Sequence, residues 1–259
     1  MEFDISHLEK LFNPIDGLKY AYLKGSPSEL NLKIYRYIDL LTFLQISGQH
    51  RFYVSRKKEF PDLFEKGYAI SSKYLMFHFA PVGEKNLEQY KDIWDKNDKN
   101  KSLIETVPVS CWTLKEDEDY YAWKANNKVP ITIRIETTVG DLLKAFDTKT
   151  KIFAGKVIYK DSARGSPDYM SLYSKRKSYQ CEEEYRFCFP EKSTDKKENT
   201  TSGIYISLKS TDWIKSINIS TLGDYELANA FCSFLKNNTE FKDIVTKTDF
   251  HEENKDINK

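Results

Sequence analysis

Apolar and polar residues alternate through VPITIRI (129–135), which puts Ile131, Ile133 and Ile135 on one face and predicts a strand. The same reading predicts strands at IYRY (34–37), at the start of HRFYVSRKKEFPDLFE (50–65) with Phe52 and Val54 on one face, and at VPVSCWTL (107–114). KIFAGKVIYK (151–160), GIYISL (203–208) and IKSINIS (214–220) read alike. Elsewhere the period lengthens. Ile38, Leu41 and Leu44 recur at helical spacing, with Asp39 placed to cap the helix and Gly48 to end it. DYELANAFCSFL (224–235) predicts a helix with Leu227, Phe231, Phe234 and Leu235 inward, and DISHLEKLF (4–12) and TVGDLLKAF (138–146) predict shorter ones. DEDYYAWKAN supplies one or two more helical turns.

Punctuation fills the gaps. Pro14, Gly17, Gly25 and Pro27 mark a loop, and Pro61–Asp62 a turn. Residues 83–106 read as a polar helix and surface loop, residues 190–203 as a charged hairpin loop or disordered insertion, and the last two dozen residues as a polar tail. The pattern gives roughly six to eight strands and no internal repeat. The expected fold class is α+β: a single domain over 33–238 with mixed or antiparallel sheets and peripheral helices, preceded by an N-terminal helix and loop (1–32) and followed by the tail (239–259).

Charge and motif content narrow the function. The 259 residues carry 40 Lys and Arg against 39 Asp and Glu, a net +1, which argues against a salt-dominated nucleic-acid wrapper while leaving room for a local basic patch. No apolar run reaches the length of a bilayer span, and MEFDISHLEK lacks the layout of a signal peptide. Cys111, Cys181, Cys188 and Cys232 have no metal-ligand spacing and read as reduced thiols, so the expected location is the cytoplasm and no metal is expected. His7, His50, His78 and His251 are scattered, and no GxGxxG, GxxxxGK[ST] or GxSxG occurs.

The richest chemistry lies in QCEEEYRFCF (180–189). As a strand, it places Glu182, Glu184 and Arg186 on one face and Tyr185, Phe187 and Phe189 on the other. Two carboxylates about 7 Å apart suit chemistry that develops positive charge at a sugar carbon, or that grips a ribose hydroxyl. The competing reading is a solvated strand face on which Arg186 pairs with Glu184. Upstream runs a basic, aromatic stretch with Tyr173, Lys175, Arg176, Lys177 and Tyr179. A second constellation is Tyr53, Ser55 and Arg56, lining a cleft with Arg56 suited to a phosphate, or else a strand end with solvated Arg56, Lys57 and Lys58. Arg36, between Tyr35 and Tyr37, is a third candidate, with a surface cation on aromatic faces as its alternative. Trp112, Tyr120, Tyr121 and Trp123 form either core or a wall for a flat ring.

The order of these pieces resembles a widespread, uncharacterised bacterial family whose late strand carries Glu-x-Glu-Tyr-Arg, here Glu182, Glu184, Tyr185 and Arg186. The likeness covers roughly residues 33–235. The family's Phe-Asn-Asp-Pro turn ending in Phe-Glu is matched by Phe60, Asp62, Phe64 and Glu65, with Pro61 and Leu63 in place of the usual Asn and Pro. Thr113 stands where the second Ser of a Ser-Cys-Phe-Ser strand falls, and Asn126 where a Tyr follows Trp123. The first half is also similar to DarT-type ADP-ribosyltransferase toxins: IYRY, a helix after Asp39, then FYVSR with Arg56 on the family arginine, though His-x-Thr is absent. These resemblances imply an ADP-ribosyltransferase-like fold that uses NAD. They imply Glu184 as the ribose-stabilising carboxylate and Glu182 as the group orienting the acceptor nucleophile. Arg36 and Arg56 would lie on the diphosphate, Tyr53 on the nicotinamide and Ser55 in the cleft. The implied role is a bacterial toxin or anti-phage effector with a nucleic-acid or protein acceptor and an antitoxin or defence-system partner. The alternative is a non-catalytic module binding nucleic acid, a nucleotide or a partner protein through 173–179 and Lys57–Lys58.

Overall fold

The computed structural model describes residues 5–60, 104–118, 120–126, 129–160, 169–190 and 202–248. The turn expected at Pro61–Asp62, nearly all of 83–106, and most of the charged stretch 190–203 lie outside the described residues.

From the N-terminus run α1 (Ser6–Leu11), β1 (Asn13–Ile15), β2 (Leu18–Leu23), β3 (Lys33–Asp39), α2 (Leu40–Gln49) and β4 (Arg51–Ser55). Next come β5 (Val109–Thr113), α3 (Tyr120–Asn126), β6 (Thr132–Thr138), α4 (Val139–Ala145), β7 (Phe146–Asp147), β8 (Ile152–Lys156) and β9 (Ile158–Lys160). The last are β10 (Ser174–Arg176), β11 (Glu184–Cys188), β12 (Gly203–Leu208), β13 (Ser216–Ile219), α5 (Tyr225–Asn238) and β14 (Val245–Lys247). The fold is mixed α/β. The chain forms two compact units, each assembled from three separate stretches.

The first unit takes residues 1–25, 54–111 and 149–205. Asn13–Leu23, expected as loop, closes into a β1–β2 hairpin because Gly17 adopts φ +77°, a left-handed conformation open to glycine without steric cost. β2 runs parallel to β8, and β8 antiparallel to β11. Phe12, Tyr22 and Tyr173 pack around Phe153, with ring centroids 4.9–5.4 Å apart, and the buried core continues through Leu8, Val107, Val109 and Leu172. β9 and β10 form a separate parallel ribbon that aligns Tyr159 with Lys175 and Lys160 with Arg176.

The second unit takes residues 26–53, 112–148 and 206–259. Here β3 pairs antiparallel with β6, β6 antiparallel with β13, and β13 parallel with β14. β14 and the extension of α5 to Asn238 replace part of the expected polar tail. Thr132 and Arg134 are as buried as Ile131, Ile133 and Ile135, so β6 is covered on both faces rather than one. Two helix faces also differ from expectation. α2 buries Phe43 and Ile46 and leaves Leu41 and Leu44 exposed, because Ile38 lies in β3 and does not set the phase of the helix. α5 buries Ala228, Cys232 and Leu235, leaving Leu227 and Phe234 exposed, while Phe231 meets Phe43 edge-on.

Asp39 caps α2 as expected, its carboxylate accepting from the Thr42 N–H at 2.6 Å. Asp39→Ala is expected to lower stability by about 1 kcal/mol, read as a reduced midpoint in urea at unchanged slope. An unchanged midpoint would show that α2 is held by Phe43 and Ile46 alone.

Candidate functional site

β11 opens on Glu184 because Glu183 has left-handed backbone, φ 43°, and donates its N–H to the Gln180 carbonyl. That residue ends a 3-10 turn, Lys177–Glu182, and redirects the chain. Glu182 is therefore on the turn and not on the strand, which corrects the expected face shared by Glu182, Glu184 and Arg186. From Glu184 onward every residue of β11 is buried.

The strand's charged face is thus internal. Glu184 is 5% exposed and Arg186 is fully buried. Their side chains meet as a fork, with Arg186 Nε on Oε1 and Nη2 on Oε2, each at 2.8 Å. The third nitrogen, Nη1, donates to the Leu172 carbonyl at 2.8 Å. Burial by itself would raise the Glu184 pKa, but Arg186's charge and hydrogen bonds, helped by Lys175 and a hydrogen bond from Cys111, outweigh it and hold the carboxyl below its ordinary value. The backbone N–H of Glu184 donates to Tyr159 Oη at 2.8 Å, and burial pushes the Tyr159 phenol up to about 12.

Lys175 joins the two glutamates. Its ammonium lies 2.5 Å from Glu182 Oε2 and 3.6 Å from Glu184 Oε2, and 4.6 Å over the Tyr179 ring. The Lys175 side chain is 7% exposed, that of Glu182 43%. Arg176 lies on the other part of this platform, its guanidinium 5.3 Å from the Tyr179 ring centre and donating to Tyr179 Oη at 3.1 Å. Glu182 and Glu184 are brought together by an ammonium rather than by strand alternation.

The remaining candidates divide between the units. Ser55 and Arg56 belong to the first. Arg56 donates from Nη1 to the Thr106 carbonyl at 2.6 Å and is half-buried. Lys57, expected in solvent, is buried, with Nζ donating to the Ser171 carbonyl at 2.8 Å, which removes it from any external surface; Lys58 is exposed and reaches Glu59. Arg36 and Tyr53 belong to the second unit. There Arg36 is half-buried, its guanidinium 4.9 Å over Phe52 and 6.0 Å from Trp112. Trp112 and Trp123 are core, the latter edge-on to Tyr37, whereas Tyr120 and Tyr121 are exposed.

Sequence reasoning overlooked Tyr159 and Cys111, neither of which carries a local signal, and placed Lys175 only within a basic, aromatic stretch. Among the described residues no cluster of three or more His, Cys, Asp or Glu is placed to hold a metal ion, and no helix is long and apolar enough to cross a membrane. None of the four cysteines is in a disulfide. Burial raises the Cys188 thiol to about 11, whereas Cys181 is exposed. Alkylation of the native protein at pH 8, mapped by mass spectrometry, is expected to label Cys181 first and to spare Cys188 and Cys232 until the chain is unfolded. Early labelling of Cys188 would mean that β11 opens locally. Comparison with protein-family models, with curated proteins and with solved structures found no match.

Proposed function

We propose that the protein is an NAD-dependent ADP-ribosyltransferase with an ADP-ribosyltransferase-like fold, acting in the bacterial cytoplasm as a toxin or anti-phage effector on a nucleic-acid or protein acceptor. An antitoxin or defence-system partner belongs to the same reading. The observation that supports it is Glu184: a carboxylate held ionised at the head of a buried strand, with Glu182 linked to it through one ammonium. A carboxylate kept charged in a low-dielectric setting is suited to stabilise positive charge developing at a sugar carbon.

In this mechanism the bond between nicotinamide and ribose breaks, its electron pair leaving on the pyridine nitrogen. Glu184 faces the resulting oxocarbenium. The Arg186 fork uses one lone pair on each Glu184 oxygen. Glu182 orients the acceptor nucleophile and takes up its proton as it bonds to the ribose carbon. Ser55 and Arg56 border the nucleotide in the same unit.

One observation favours a second reading. The carboxylate of Glu184 is already satisfied by Arg186, Lys175 and Cys111, as a purely structural pair would be. The chain would then be a non-catalytic module that binds nucleic acid, a nucleotide or a protein. Nicotinamide release from NAD by the purified protein, with DNA, RNA and cell lysate supplied in turn as acceptor, separates the two. Turnover above the uncatalysed rate with one acceptor supports the enzyme. No turnover with any acceptor, alongside retained binding to one of them, establishes the module.

A further inference from the structure

Lys175 and Arg176 are adjacent on β10, yet both reach the ring of Tyr179, one by its ammonium and one by its planar fork. Lys160, exposed on β9, lies beside Arg176 in the ribbon. Three cations therefore sit on one short ribbon next to an aromatic ring. The anion in contact with Lys175 at 2.5 Å is Glu182, a carboxylate from a turn that buries none of its own residues. Glu182 is 43% exposed, so water already competes for its half of the pair, and a ligand carrying two or more negative charges can take its place on Lys175. The groups facing Lys175 are the Glu182 and Glu184 carboxylates, the Tyr179 ring and the Tyr159 phenol. Arg186 is committed to Glu184.

We propose that Lys175, Arg176 and Tyr179 form a binding site for the diphosphate of a nucleotide, and that Glu182 occupies it as a resident anion which the ligand displaces. The diphosphate takes the place of the Glu182 carboxylate on the Lys175 ammonium and accepts from the Arg176 fork, which is shaped for paired phosphate oxygens. Displacement frees Glu182 beside Glu184. The choice of a nucleoside diphosphate rests on the NAD reading; capture of a phosphoanhydride does not.

Titration calorimetry at fixed ionic strength, with inorganic pyrophosphate and then ADP as probes, tests the site. Glu182→Gln removes the resident charge and keeps the side chain's size, so pyrophosphate is expected to bind about fivefold to tenfold tighter. Glu183→Gln, which removes the same charge one residue away, is expected to leave affinity within about twofold of wild type. Arg176→Gln and Lys175→Met, each checked for a native circular-dichroism spectrum, are expected to weaken binding at least about tenfold. The site is overturned if Glu182→Gln binds no tighter than Glu183→Gln, if folded Arg176→Gln keeps wild-type affinity, or if neither wild type nor Glu182→Gln saturates with either probe. Failure of the NAD reading looks different. The pyrophosphate pattern then holds while wild type releases no nicotinamide with any acceptor.

Discussion

Replacing Arg186 with methionine is expected to cost about 3–5 kcal/mol of stability. Three hydrogen bonds disappear together, to both oxygens of Glu184 and to the Leu172 carbonyl. The carboxylate is left at 5% exposure with its main counter-charge gone. The sign of the pH dependence follows. In the wild type Glu184 has a folded pKa below its ordinary 4.5, so it contributes stability above that value and loses it as pH falls through the folded pKa. In the variant burial dominates and the folded pKa moves upward, so stability falls as pH rises through that range. The difference between wild type and variant should therefore shrink on acidification from pH 7 towards pH 4, read from urea unfolding at each pH. A double variant, Glu184→Leu with Arg186→Met, should recover part of the loss, because the carboxylate is removed together with its main counter-charge. A cost below about 1 kcal/mol that does not vary with pH would show that the fork contributes little to stability.

Under the proposed chemistry, Glu184→Gln should lower nicotinamide release by about 10²–10³, or roughly 3–4 kcal/mol of transition-state stabilisation. Glutamine keeps the shape and one acceptor oxygen for Arg186 but turns the other contact into an amide facing a donor, so some stability is lost as well. Rates are accordingly compared at a temperature where circular dichroism shows both proteins folded. NAD affinity should change little, since the charge on Glu184 matters most when the ribosyl cation develops. Expression of the wild type should harm a bacterial host and the variant should be tolerated. A folded Glu184→Gln protein that releases nicotinamide at the wild-type rate would remove Glu184 from the chemistry and leave it as Arg186's structural partner.

Much of the local structure was legible because its causes are local. Asp39 precedes a run of helix formers and satisfies the Thr42 N–H, a contact needing only three residues of chain. Phe52 and Val54 alternate with polar neighbours and both are buried, as a half-covered strand requires. Glu184 and Arg186 do lie on one side of their strand, because that too follows from a period of two. The Glu182 contact was legible only as composition. One left-handed residue, Glu183, breaks the period, and no feature of EEEYR marks the middle glutamate as that residue.

Backbone periodicity alone thus sets the short-range elements and puts Glu184 and Arg186 on one face of their strand. Tertiary structure alone decided which of these charges face water. From the sequence, Lys57 reads as solvated in one alternative, Arg186 as half of a solvated pair in another, and Lys175 as part of a basic, aromatic stretch. The fold buries them by bringing the Ser171 and Leu172 carbonyls to Lys57 and Arg186, and the Glu182 carboxylate with the Tyr179 ring to Lys175. It likewise decided that α5 turns Ala228 and Cys232 inward and leaves Leu227 and Phe234 outside. The physical reason is the same in each case. Burial depends on what the rest of the chain lays over a side chain, and a buried cation persists only where distant carbonyls or carboxylates arrive to satisfy it.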